Sequence, residues 1–220
     1  THRHTLFPYT TLFRSLQRPR DAVPFLRKAA QLEPRNVDFL VRFGRALLDS
    51  GRVREAESVL MKARDLNPSL PIVPWTLGVF YASIDRFDKA VDHYKSVMSA
   101  NLPEDFGHYA KIDWATALVE VGRIEEAKQA LRELLKVPKA RGTALSQLAE
   151  MEAFAFDSIE YGMLENELQN PSLSANDRSI LLRTKALSFA AAKDYEREFA
   201  LLQESKRARG STDQSDGFGR

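Results

Sequence analysis

The sequence predicts an all-α chain built from a repeated pair of antiparallel helices. Three observations carry that expectation: an alanine recurring at near-constant spacing, a second small residue recurring between those alanines, and glycine and proline punctuation at matching places. Ala22, Ala56 and Ala90 lie 34 residues apart, and Ala127 follows 37 residues later. Each precedes a large apolar residue by four positions, at Leu26, Leu60, Tyr94 and Leu131. That period suits a two-helix unit.

Taken in order, the chain opens with a partial unit at about 16–36, whose one helix carries Ala22 and Leu26 and ends at Pro34. The first whole unit, 37–70, starts with Leu40, Phe43, Gly44 and Leu47, the i, i+3, i+4, i+7 spacing of one helical face. Gly51 then stands where a helix needs a left-handed terminating residue, and the second helix closes at Pro68. Unit 71–107 repeats the scheme with Leu77, Gly78 and Tyr81, but Asp85-Arg86 replaces the turn glycine and Pro103 closes it. Unit 108–141 has Trp114, Ala115 and Leu118, a glycine turn at Gly122 and a closing Pro138. Two units depart from the pattern. In 142–178, Tyr161 or Gly162 occupies the place of the second-helix alanine; 179–209 keeps Ala186 and Phe189 but has Glu198 at that place. The small residues are expected where helices approach closely, since a bulkier side chain there overpacks by roughly 1–3 kcal/mol.

The 34-residue period, the small residue inside each helix, the flanking aromatics and leucines and the closing proline together resemble the tetratricopeptide repeat family. The resemblance implies a right-handed superhelical solenoid of antiparallel helix pairs. It also implies a scaffold that binds a protein or peptide segment in a concave groove lined by first helices. The stripe opposite the core face is then Val41, Arg45 and Leu48, next Trp75, Val79 and Ala82, then Tyr109, Ile112, Thr116 and Val119. Trp75 and Tyr109 lead as contacts, because such rings bury large area at low entropy cost. Trp75, just after Pro74, has the alternative of packing on the neighbouring unit. Arg42 and Arg45 are suited to grip a partner carboxylate, or else form a solvated helix face. Family members that clamp chaperone C-terminal carboxylates use lysines and asparagines where this chain has Val41, Trp75 and Ile112, so that clamp is not expected.

No catalytic constellation stands out, and the chain is expected not to be an enzyme in itself, with no metal and no cofactor. The 32 basic and 30 acidic residues leave a net charge of +2, which argues against nucleic acid or a membrane as partner. There is no cysteine. His93 lacks a second histidine at i+3 or i+4 and reads as solvent-facing, and His108 starts a helix. No GxxxxGK or GxGxxG follows a strand-like run. Glu125-Glu126 begins a helix, where acidic side chains favour the macrodipole. No apolar run reaches the roughly 20 residues of a membrane helix.

Both ends differ from the middle. Leu6 to Ser15 resembles translated sequencing-adaptor read-through, so 1–15 reads as a non-native leader. The polar, Gly/Ser-rich 210–220 reads as a disordered or truncated tail. Pro171 to Arg209 resembles the last repeats of bacterial tetratricopeptide sulfotransferases. That resemblance offers the alternative of a non-catalytic repeat region ahead of an absent sulfuryl-transfer domain. A cytoplasmic location is expected, while the partner and oligomeric state are not specified.

Overall fold

The computed structural model describes residues 19–98 and 104–213, and among these the chain is all-helical, with eleven helices and no strand. The expected leader, 1–15, lies outside the described residues. Two compact units divide the chain, Thr1–Val121 and Gly122–Arg220.

The first unit holds α1 (Pro19–Leu32), α2 (Val37–Asp49), α3 (Val53–Leu66), α4 (Ile72–Ala82), α5 (Phe87–Met98) and α6 (Glu104–Glu120). Asn36 starts α2 by accepting a hydrogen bond from the Phe39 amide at 3.3 Å, satisfying one orphan donor of the first turn. Gly51 ends it at φ 76° and Asp85 ends α4 at φ 58°, so an aspartate takes the left-handed role of the missing glycine. In both turns the following amide reaches back five residues: Arg52 N–H to Leu47 O at 2.8 Å, and Arg86 N–H to Tyr81 O at 2.9 Å. Pro34 and Pro68 fall two residues beyond α1 and α3.

Small residues sit where the sequence placed them, at helix crossings. Ala56 and Ala90 are fully buried. A Cβ added to Gly44 would lie 2.5 Å from Leu60 Cδ2, and one added to Gly78 would lie 2.5 Å from Tyr94 Cε1. In each pair the second helix therefore presses a large side chain onto the bare backbone of the first. Leu60 and Tyr94 are buried as a result, and full burial of a side chain of this size contributes about 1.5–3 kcal/mol.

The second unit holds α7 (Ile124–Leu134), α8 (Pro138–Met151), α9 (Ile159–Leu168), α10 (Ala175–Ala191) and α11 (Tyr195–Asp213). Pro138, expected to close a unit, instead occupies the first turn of α8, where its missing N–H costs nothing. The first helices α6, α8 and α10 each begin four residues before the unit starts expected at 108, 142 and 179, because local signals such as Pro138 and the Ser174 cap set the start. The turn before α9 is a longer loop, 152–158, and α9 has only ten residues with Leu164 fully buried. Lys193 reverses the chain after α10 at φ 60°, and the Asp194 amide reaches back to Phe189 O at 3.0 Å. A buried serine pair, Ser179 and Ser205 at 2.9 Å between hydroxyls, joins α10 to α11. The helix α11 continues to Asp213, so the first four residues of the tail expected to be disordered or truncated are helical; 214–220 lie outside the described residues.

Candidate functional site

In the first unit the first helices α2, α4 and α6 touch in succession. One line of side chains crosses all three. The Arg45 guanidinium from α2 lies over the Trp75 ring of α4, 5.4 Å from its centroid. The Trp75 indole N–H donates to Asp113 Oδ2 of α6 at 2.8 Å, and its ring meets Phe106 edge-on at 5.2 Å. Burial pushes the Asp113 carboxyl above its ordinary pKa, while the Trp75 hydrogen bond and the Arg45 charge draw it back. Tyr94 of α5 is buried beneath, its phenol pushed upward first by burial and then by the Asp113 charge, with Arg45 opposing.

The residues expected on the binding face separate into three groups. Val41 is only 3% exposed and belongs to the core, which corrects its placement on the stripe: its side chain points where α2 meets its neighbours. Arg45, Leu48, Trp75, Val79 and Ile112 are half-buried, as are Ala82 and Val119. Tyr109 is 60% exposed, and Thr116 is exposed with its hydroxyl donating to Ile112 O at 3.0 Å. For Trp75 the alternative of packing on the next pair holds, since its N–H and ring edge both engage α6. Arg42 pairs along its own helix with Asp38 at 2.8 Å, unlike Arg45.

The second unit offers a different surface. A cleft of about 470 Å³ lies where Gly142, Thr143 and Ser146 of α8 face Asp177, Ile180 and Leu181 of α10. A Cβ at Gly142 would find only Leu181 Cδ2 at 3.7 Å, so this glycine opens the cleft rather than admitting a neighbouring side chain. Glu167, also on its wall, is held by Arg141 at 2.7 Å.

A tetratricopeptide repeat family model matches residues 14–73, and a second matches 71–158. The chain carries tetratricopeptide repeats. No curated protein matches it. Among solved structures the repeat chain resembles PilF from Pseudomonas aeruginosa, with a TM-score of 0.73 at 13% identity over 92% of this chain and 89% of that one. It also resembles BtubC from P. vanneervenii, with a TM-score of 0.66 at 17% identity over 98% and 94%. A third is YrrB, described as a TPR protein with an unusual peptide-binding site, with a TM-score of 0.56 at 16% identity over 84% and 92%.

Asp113 and Phe106 of this repeat array are the residues that sequence reasoning missed. The signal available for Asp113 was an acid inside the otherwise apolar run Ile112-Asp113-Trp114. His93 also needs correction: far from facing solvent, it is half-buried and stacked on Tyr81, with centroids 5.3 Å apart and planes within 4°. His108 is likewise buried, 5% exposed, one turn into α6. Among the described residues no group of three or more His, Asp or Glu is placed to hold a metal, and no helix is long and apolar enough to cross a membrane.

Proposed function

We propose that the chain is a protein-interaction scaffold and that the face built by α2, α4 and α6 binds a peptide or protein segment. The observation that carries this reading is the bridged row Arg45–Trp75–Asp113, which fixes an aromatic, half-buried surface across three helices, with Tyr109 standing exposed beside it. A rigid aromatic surface loses little entropy on binding, which is the condition for affinity from modest area. YrrB, whose description names a peptide-binding site, supports the class of ligand. The test is selection of binding peptides from a random display library, followed by titration against a Tyr109→Ala, Thr116→Arg double variant. Binding should fall at least tenfold with an unchanged unfolding midpoint; undiminished binding would place the peptide elsewhere. The alternative, that these repeats stand ahead of a sulfuryl-transfer domain, is supported by the residue pattern of 171–209. Its test is whether the genomic reading frame continues into a strand and phosphate loop.

A further inference from the structure

Arg45 differs from the other arginines whose ion pairs define the first unit. Arg27 and Arg52 both meet Glu55, Arg42 meets Asp38 and Arg64 meets Asp65. Arg45 makes no hydrogen bond or ion pair among the described residues, yet it is half-buried on the proposed face with its guanidinium over the Trp75 ring. A guanidinium carries five N–H donors in a fixed fork. Its position is set on both sides: the indole beneath it is locked by the 2.8 Å bond to Asp113, and Asp113 attracts it across the ring without touching it.

We propose that Arg45, seated on the Trp75 ring, receives a carboxylate of the bound segment, so that this face selects an acidic side chain. The proposal rests on the reading of α2, α4 and α6 as the binding face. Water satisfies the Arg45 donors while the face is open. A peptide lying over Trp75 removes that water, and a neutral or basic residue above Arg45 would then leave donors without partners in a covered site. A planar carboxylate meets the fork with two parallel bonds and restores the balance. Asp113 tempers the site, because its charge repels the incoming carboxylate while holding the platform that presents Arg45.

The test uses the full chain and peptides chosen by display selection, each synthesised in pairs with every Glu or Asp, one at a time, exchanged for Gln or Asn. For one acidic position the exchange should weaken binding about tenfold, and Arg45→Gln should erase that difference. Arg45→Lys, which keeps the charge but not the fork, should leave a difference of two- to threefold. Asp113→Asn keeps an acceptor for the Trp75 N–H and removes the opposing charge, so it should tighten the acidic peptide severalfold and leave its neutral twin unchanged. Unfolding midpoints of all three variants show that the fold persists. If acidic and neutral twins bind equally while Tyr109→Ala still weakens both, the carboxylate site is wrong and the binding face stands. If no selected peptide responds to Tyr109→Ala either, the binding face falls and this site with it.

Discussion

The two compact units use glycine in opposite ways. In the first, Gly44 and Gly78 are places where a second helix comes down on bare backbone, with Leu60 and Tyr94 pressed so close that a Cβ would intrude. In the second, Gly142 meets a single methyl at ordinary contact distance and Gly162 meets nothing within 4 Å. The same residue type marks tight interlocking in one unit and looser packing in the other. The lesson is that a small residue at the expected register is evidence of a repeat only when a large residue sits sixteen positions later to fill the space, as Leu60 and Tyr94 do.

The sharpest way to break this comparison is Gly78→Ala. The new methyl would face three atoms of the Tyr94 ring at 2.5, 2.6 and 2.9 Å, and a buried ring has little room to withdraw. A loss of about 3 kcal/mol is expected, the upper end of overpacking costs. Gly44→Ala should cost about 2 kcal/mol, because the branched end of Leu60 adjusts more readily than a ring. Chemical denaturation read at constant m measures both, and a cost under about 0.5 kcal/mol for Gly78→Ala would mean that the interlock is not what fixes the pair.

Next in size is the opposite effect in the second unit. Gly162→Ala fills open space within α9 and removes a helix-weakening residue, so stability should rise by up to about 1 kcal/mol. A loss instead would show that α9 needs the close approach that its glycine does not display. Backbone strain supplies a companion measurement. Lys193 holds φ 60° where the equivalent turns use Gly51 and Gly122, so Lys193→Gly should stabilise by about 1 kcal/mol.

Those turns also show how much of the molecule the sequence made legible. The alanines at 56, 90 and 127 and the left-handed residues at 51 and 122 were readable because each solves a local problem with a residue type suited to it, a close crossing or a positive φ. Asp85 was readable by spacing alone. Lys193 was not, since lysine has no chemical reason to take that conformation, and only its place two periods after Gly122 betrays it. The candidate site was legible in outline: Trp75, Tyr109 and Arg45 were named from helical phase. Helical phase could not decide the burial of Val41, which depends on how deeply α2 is sunk between its neighbours. Nor could it find Asp113, whose role comes from a side chain 38 positions away.

The smallest expected effect separates the units by acid. Burial, with help from the Arg64 and Lys89 charges, lowers the His93 pKa below 6.5, against the opposing pull of Asp92. A lowered value in the fold means that the neutral imidazole is preferred there, so its contribution is present above pH 6.5 and is lost as pH falls through the folded value. The corresponding position in the next pair is Ala130, which does not titrate. Glu165 and Glu152 of the second unit also titrate below their ordinary values, but they lose their contribution only below pH 4.5, outside this window. Between pH 7.5 and 5.5, amide protection relative to the intrinsic, base-catalysed exchange rate should therefore fall in α4 and α5 while that in α10 and α11 holds. His93→Phe, which keeps a ring against Tyr81, should remove the difference; a loss of protection that persists in this variant would assign the acid sensitivity of the first unit to another group.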